Sequence, residues 1–278
     1  MEGLHETAYR TSLGYSLYMP ESSVGLHSPA MLRAFAESHF GGANTMVIGV
    51  GVDHQELVEK VKKNGKGGQA AVREKAKYYG GEVRLNNVQP SSDIVHAAIV
   101  SEGVSLQGNE IYAAAVLKYL LGTGPNIKYD TFRVGKTSWQ PGNSAASAIN
   151  ASYTDTGLFG FQVAAPSKDV GTVLEKTIAA YNEVKNGGIT EEDVTRGKNQ
   201  LRIATATDLE QGSLLLEDLA VQLSLGDNIV SPAEVDAAIS KVTLADVQKI
   251  AKKVINNGKP TMASIGNLTH TPNLDQLL

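Results

Sequence analysis

Near the end of the chain, Thr243–Asn267 reads TLADVQKIAKKVINNGKPTMASIGN, and a version of it has already appeared at Ser28–Gly51, SPAMLRAFAESHFGGANTMVIGVG. In both, a Ser or Thr suited to N-capping opens an amphipathic run, a glycine-containing break follows, and a short apolar segment beginning Thr-Met ends on glycine. Leu244, Val247, Ile250, Ala251, Val254 and Ile255 recur at helical spacing in the later copy, and Leu32, Phe35, Ala36 and Phe40 in the earlier one. Each copy therefore reads as a helix packed under the strand that follows it.

The repeat is out of phase with the chain. The first copy arrives after too few residues to contain everything that precedes the second. If the two units are equivalent, most of the first is missing. Lys63-Asn64-Gly65-Lys66-Gly67-Gly68 follows the first copy with the composition of a linker. The expected organisation is a C-terminal remnant of one domain over residues 1–63, a linker over 64–80, and a complete second domain over 81–278.

Ahead of the first copy, Leu4–Tyr9 is expected to end a helix and Leu13–Pro20 to be extended, stopped by Pro20. Asp53 is a candidate cap for a helix through Lys63. Ile94–Val100 is short, apolar and β-branched, as a strand buried on both faces would be. Ile111–Leu121 is an almost all-round apolar helix. Ala145–Tyr153 and Leu158–Ala165 flank Thr154-Asp155-Thr156-Gly157, a hairpin connection in which Gly157 can take positive φ. Val170, Val173, Leu174, Tyr181 and Val184 line the next helix, ended by Gly187-Gly188, and further helices start near Thr190, Gly212 and Ser231. Burying these stripes economically calls for helices gathered on one face of a mainly antiparallel sheet, an α+β fold.

Composition excludes whole classes of chemistry. There are no cysteines, so disulfides, thiolate metal sites and cysteine nucleophiles are ruled out. A net charge of -4 with 19% charged residues offers no basic stripe for nucleic acid. The best apolar run is Ile111–Leu121 with Lys118 inside it, well short of the ~20 residues that span a bilayer. MEGLHETAYRTS lacks the basic and apolar regions of a secretory signal, and its early acidic residues argue against a transit peptide, so any targeting segment is expected upstream.

The candidate motifs mostly fail on spacing. The histidines stand at 5, 27, 39, 54, 96 and 270, and no two share a helical turn as H-E-x-x-H or H-x-x-E-H requires. His54-Gln55-Glu56 mimics a deaminase H-x-E but lacks its P-C-x-x-C partner. His96, inside a strand pattern, reads as a hydrogen-bonded core histidine. Gly135-Lys136-Thr137 resembles the end of a P-loop, yet Asp130 stands where its first glycine belongs. Gly122-Thr123-Gly124-Pro125 lacks the third glycine of a dinucleotide fingerprint and reads as a helix C-cap opening a loop to Ser144 that holds Trp139, the one tryptophan. Glu191-Glu192-Asp193 after Thr190 suits a helix start better than a carboxylate dyad. Asn150-Ala151-Ser152 and Asn267-Leu268-Thr269 fit glycosylation acceptors, the first by chance if it is a strand. No catalytic, cofactor-binding or metal-binding residue is assigned, and no cofactor is expected.

Longer strings carry a resemblance. Lys75-Ala76-Lys77-Tyr78-Tyr79-Gly80-Gly81-Glu82-Val83-Arg84, His96-Ala97-Ala98, Leu121-Gly122-Thr123-Gly124-Pro125, Asn150-Ala151-Ser152-Tyr153-Thr154-Asp155-Thr156-Gly157-Leu158-Phe159-Gly160-Phe161 and Ser264-Ile265-Gly266-Asn267-Leu268-Thr269-His270-Thr271-Pro272 resemble the core proteins of the mitochondrial ubiquinol-cytochrome c reductase complex, non-catalytic members of the pitrilysin-type peptidase superfamily. The resemblance covers essentially the whole chain. It implies two repeated α+β domains joined by a linker, of which this chain holds the last part of the first and all of the second. It places the zinc-binding H-x-x-E-H of active relatives upstream of Met1, in a branch that has lost it. Active relatives also place an Arg and a Tyr after the glycine-containing loop, and Ile127-Lys128-Tyr129-Asp130 does not match that pattern. The implied role is scaffolding on the matrix side of the inner membrane, partnered by a homologous core subunit and other subunits of the complex. The alternative is the non-catalytic, substrate-recognising alpha subunit of the mitochondrial processing peptidase, whose loop is more continuously glycine-rich than Gly122–Gly124. An active zinc peptidase would need residues this chain lacks.

Overall fold

The structure, a computed structural model, describes residues 1–65, 74–87, 93–124, 135–137, 143–226 and 229–278. It contains α1 (Glu2–Tyr9), α2 (Pro29–His39), α3 (His54–Asn64), β1 (Gly81–Asn86), β2 (Ile94–Glu102), α4 (Ile111–Leu121), β3 (Ala145–Ser152), β4 (Gly157–Pro166), α5 (Val170–Lys185), α6 (Glu191–Leu209), α7 (Gly212–Leu225), α8 (Pro232–Lys241), α9 (Leu244–Val254), β5 (Thr261–Gly266) and α10 (Leu274–Leu277). It divides into two compact units, one of Met1–Tyr15, Ala76–Ala204 and Ser231–Leu278, the other of Ser16–Lys75 and Thr205–Val230.

In the larger unit the strands form one sheet in the order β1-β5-β2-β4-β3. The β1–β5 pairing is parallel, whereas β2 with β5, β2 with β4 and β3 with β4 are antiparallel. This is the expected mainly antiparallel α+β sheet. The tight connection between Ser152 and Gly157 lets β3 and β4 run as a hairpin, and Tyr153 N–H donates to Thr156 O at 2.8 Å; Gly157 does not take the expected positive φ but opens β4, where a Cβ would stand 2.3 Å from Val104 O.

One face of the sheet carries the main core. Val95, Ala97 and Ile99 from β2, Phe159, Phe161 and Val163 from β4 and Met262 from β5 pack with Val116, Leu117, Leu120 and Leu121 of α4, Val173, Leu174 and Tyr181 of α5, and Val247, Ile250, Ala251 and Val254 of α9. Thr243 opens α9 with a reciprocal capping box to Asp246. The opposite face is not bare at one end. There Leu4, Ala8 and Tyr9 of α1 bury against Val100, Ile149 and Leu158. Chain order alone groups residues 1–15 with the first-domain remnant, but their apolar face rests on this sheet.

Arg84 of β1 ties down the end of the chain. Its guanidinium donates to the carbonyls of Leu268, Thr271 and Pro272 at 2.8–3.3 Å and pairs with Glu82 at 3.0 Å, and Glu82 in turn accepts from Leu274 N–H at the start of α10.

The smaller unit departs from expectation. Ser28 caps α2 as anticipated, accepting from Met31 N–H at 3.2 Å, and Asp53 caps α3 through Glu56 N–H at 2.9 Å. Yet α2, α3 and α7 contain no buried residue. Leu32, Phe35, Phe40 and Met46 are all more than half exposed, and Thr45–Gly51 forms no strand among the described residues. The expected helix-under-strand pair is therefore not formed there. A strand needs a neighbour to satisfy its main chain, and none of the described strands lies within 16–75. The stretch expected to be extended begins instead with a short 3-10 turn over Ser12–Gly14, entered through positive φ at Ser12.

Gly160 marks the closest approach within the sheet. A Cβ there would stand 2.0 Å from the Ile99 carbonyl oxygen, and the Gly160 carbonyl accepts the buried Tyr181 hydroxyl at 2.9 Å. Gly160→Ala is expected to cost about 2–3 kcal/mol by overpacking, measured as a lower urea midpoint with unchanged slope.

Candidate functional site

The polar groups that converge most densely lie where α1 meets the sheet. The buried Tyr9 hydroxyl donates to Gly157 O at 3.1 Å and lies 3.4 Å from Thr156 Oγ1, which donates to Glu102 Oε1 at 3.2 Å. Tyr78 donates to Val100 O at 3.3 Å and shares a 2.8 Å bond with Thr261 Oγ1. His5 Nδ1 lies 3.0 Å from the Met1 carbonyl, which can only accept, so Nδ1 carries a proton, and Nε2 shares a 2.5 Å hydrogen bond with Tyr153 Oη. The tyrosine rings meet edge-on, with centroids 6.0 Å apart for Tyr9 and Tyr78 and 6.4 Å for Tyr9 and Tyr153.

Burial sets the protonation of this cluster. Desolvation pushes Tyr78 up to about 12 and raises Tyr9 well above the phenol range and Tyr153 above its ordinary value. The phenols stay neutral and act as fixed donors. Carboxylates shift the other way: Lys253 and Lys249 hold Glu110 low. Each of these shifts moves its group away from neutrality, whereas an acid–base catalyst needs one poised near pH 7. The arrangement clamps a helix; it does not move protons. No sequence motif marks Tyr9, Tyr78 and Tyr153 as one cluster, because they lie far apart in the chain. The available signal was three hydroxyl-bearing aromatics in otherwise apolar or turn segments.

Beyond α1 the same sheet face is open and floors a cavity of about 760 Å³. Ala98, Ala145, Ala164 and Ala263 make its floor, Leu85 and Ile265 one side, and Gly124 and the first residues of α1 its rim. His96 lies here, exposed, beside Gln162, whose amide donates to Ser147 Oγ at 2.9 Å. The expectation of a core histidine is corrected: β2 is buried on both faces only near Val100, and His96 sits past the edge of α1.

Of the glycine-containing loop, Gly122–Gly124, Gly135–Thr137 and Asn143–Ser144 are described; Ile127-Lys128-Tyr129-Asp130 and Trp139 lie outside the described residues. Gly122 takes φ 124° as the C-cap of α4, as expected, and its carbonyl accepts from Ala148 N–H at 2.8 Å. Gly135 packs against Gly122, with room for no Cβ, and Lys136 and Thr137 N–H donate to the last carbonyls of α4. Lys136 pairs with Asp193 at 3.0 Å, while the buried Thr137 hydroxyl donates to Leu121 O at 2.9 Å. A phosphate cradle would need both side chains free, so the resemblance to a P-loop ends there.

The acidic run is a helix start, as read. Thr190 and Asp193 exchange capping bonds at the head of α6, and Asp193 also pairs with Arg196 at 2.8 Å. Burial would raise the Asp193 pKa, but Lys136, Arg196 and the bonds from Thr190 outweigh it and hold the carboxyl well below the usual range. His54 and Glu56 lie on the exposed α3, Glu56 facing Lys60 at 3.9 Å. Asn150 lies in β3, where the reading as a glycosylation acceptor has no place, and Asn267 accepts from the Thr269 hydroxyl at 2.7 Å. Among the described residues no group of three or more His, Cys, Asp or Glu side chains could hold a metal ion.

An α+β sheet with a helical layer agrees with the family match. Residues 28–201 match the family described as Peptidase M16 inactive domain, and the chain belongs to that family. Over its full length it is 37% identical to the mouse protein "Cytochrome b-c1 complex subunit 2, mitochondrial", of which it covers 62%. It is 28% identical to "Mitochondrial-processing peptidase subunit alpha-2" of Dictyostelium discoideum, with 99% of this chain and 63% of that protein aligned. The chain thus spans less than two thirds of the length of these relatives. In the solved structure "Complex III2 from Candida albicans, Inz-5 bound" one chain superposes with a TM-score of 0.86 at 19% identity, covering 99% of this chain and 68% of that one, which speaks for the fold.

Asp193→Asn should lower stability by about 2 kcal/mol, since Lys136 and Arg196 lose their partner. The folded-state pKa lies below the unfolded value of about 3.9, so this contribution is complete above that value and is lost as the pH falls through the folded one. The difference in urea stability between parent and variant should be constant from pH 8 to about pH 5 and shrink below about pH 4.

Proposed function

We propose that this chain serves as a non-catalytic structural core subunit, of the core protein 2 kind, in the mitochondrial ubiquinol-cytochrome c reductase complex. In that role it supports the redox subunits that carry electrons from ubiquinol to cytochrome c, and its partners are a homologous core subunit and other subunits of the complex. It lies on the matrix side of the inner membrane, associated with the membrane only through the complex. The observation that carries this reading is the 37% identity to a cytochrome b-c1 complex subunit 2 across the whole chain, against 28% to a processing-peptidase alpha subunit. Scaffolding needs buried faces and shape rather than a perturbed side chain, which fits pKa shifts that all point away from neutrality.

The domain organisation belongs to the same reading. Residues 1–63 are the C-terminal remnant of a first peptidase-like domain, 64–80 the linker and 81–278 the second domain. The exposed Leu32, Phe35, Phe40 and Met46 support it, because their counterparts in the second copy are the residues that α9 and β5 bury against a sheet. Limited proteolysis should cut first within residues 16–65 and leave the sheet with α1 as the resistant core. Equal resistance throughout would count against the boundary.

Two measurements test the function. The chain, dialysed and analysed for metal, should hold no stoichiometric zinc and should leave presequence peptides uncut; one zinc per chain, lost on mutating His5 or His54, would sink the non-catalytic reading. Expressed with a tag in mitochondria, the chain should co-purify with respiratory-complex subunits, and replacing Gly122 and Gly124 by alanine should leave that association intact at a stability cost of about 1 kcal/mol each. Tight presequence binding destroyed by those glycine changes, with no respiratory partner, would favour the processing-peptidase subunit.

A further inference from the structure

Asparagine followed by glycine occurs at Asn64-Gly65, Asn186-Gly187 and Asn257-Gly258. Such a pair is chemically labile, because the glycine nitrogen can attack the asparagine side-chain carbon and no Cβ on the glycine stands in the way. The attacking nitrogen must first lose its proton. An N–H that donates to a carbonyl is stabilised in its protonated form and held in the direction of that carbonyl, so hydrogen bonding at the glycine decides which pair reacts.

The first two pairs are protected. Gly65 N–H closes α3 by donating to Val61 O at 2.6 Å, and Gly187 N–H donates to Val184 O at 3.1 Å just past α5. Gly258 N–H has no acceptor among the described residues. It belongs to the connection between α9 and β5, where Asn257, Gly258 and Lys259 are all exposed. Gly258 takes φ 71°, and a Cβ built on it would meet nothing within 4 Å, so the space around the nitrogen is open. Asn257 Nδ2 makes one hydrogen bond, to Lys253 O at 2.8 Å, on the surface where water can replace it and free the side chain to turn toward Gly258. The adjacent Asn256 is tied down, its amide to Asn182 Oδ1 at 2.8 Å and its carbonyl to Lys185 Nζ at 3.2 Å, which confines the lability to Asn257.

We propose that Asn257 is a site of spontaneous modification, converted through a cyclic imide to aspartate and isoaspartate with water as the co-reactant. The deprotonated Gly258 nitrogen bonds to Asn257 Cγ, the Cγ–Nδ2 bond breaks, and ammonia leaves with a proton from solvent equal to the one Gly258 gave up. Water then adds across one of the two imide C–N bonds. Opening at Cγ leaves aspartate. Opening at the main-chain carbonyl leaves isoaspartate, whose main chain runs through Cβ and Cγ and is one atom longer. Either product disturbs the delivery of β5. A carboxylate cannot donate to the Lys253 carbonyl, and it puts negative charge at the negative end of α9. The longer main chain enters a turn without slack: Gly80 approaches so closely that a Cβ on it would stand 2.3 Å from Lys259 O, and Gly81 N–H donates to Pro260 O at 3.1 Å. This goes beyond the scaffold reading and does not depend on it.

The test compares the three pairs within one molecule. The full chain, kept folded at mildly alkaline pH, then digested and analysed by mass spectrometry, should show amide-to-acid conversion at Asn257 several-fold faster than at Asn64 and Asn186. In concentrated urea the three rates should converge, since each is then an unstructured Asn-Gly pair. A protein-isoaspartate methyltransferase with a labelled methyl donor should mark the peptide that holds position 257 in the aged chain. Asn257→Gln, whose longer side chain closes an imide less readily, should remove the leading conversion and leave the other two unchanged. Equal rates at the three sites in the folded chain overturn the proposal. So does a lead at Asn257 that persists in urea, because the fold is then not its cause, and so does aspartate formed without isoaspartate, which means direct hydrolysis of the side-chain amide.

Discussion

The sheet depends on β5 entering between β1 and β2. The last strand of the chain supplies the parallel partner of β1 on one side and the antiparallel partner of β2 on the other, so neither neighbour has a complete ladder without it. Everything that follows from the sheet rests on this closure: α9 delivers β5 with its apolar stripe already facing the core, and Arg84 then draws the residues after β5 along β1 through carbonyls that would otherwise be solvated. The pairings between β1 and β5 and between β2 and β5 join segments distant in sequence, which makes the fold's centre non-local and its termini interdependent.

The two faces of that sheet are treated differently. Long aliphatic and aromatic side chains fill the helical side, while the other side carries alanines, Gln162 and His96 with a single short helix seated over one end. The seat of α1 combines a small apolar cluster with neutral phenols whose hydrogen bonds run to carbonyls and hydroxyls. Buried polar groups that are fully paired fix one orientation of a helix where packing of small residues alone would tolerate several. Beyond the helix these small side chains floor a wide hollow lined also by His96 and Gln162.

Charge in the larger unit is spent on local fastening. Asp193 binds the head of α6 to the end of the loop after α4, Glu110 gathers two lysines of α9, and Arg202 reaches Asp236 and Ser240 of α8. The lysines and arginine around Asp193 and Glu110 hold both carboxyls below their usual range, whereas an acid–base catalyst needs a group poised near neutrality.

Much of this was legible in the sequence because it is local. The period of Val247, Ile250, Ala251 and Val254, the caps at Thr243 and Thr190, the C-cap at Gly122 and the hairpin before Gly157 each depend on a few neighbouring residues, and each stands where the pattern put it. The same local rules placed a strand at Thr45–Gly51 and a core histidine at position 96, and there they failed. Whether an apolar run becomes a strand depends on a distant strand to bond with, and whether a strand's second face is buried depends on what lies across it; neither is written in the run itself. The seat of Tyr9 against Gly157 and the fastening of Lys136 by Asp193 are likewise products of strand order, which the tertiary structure alone decided.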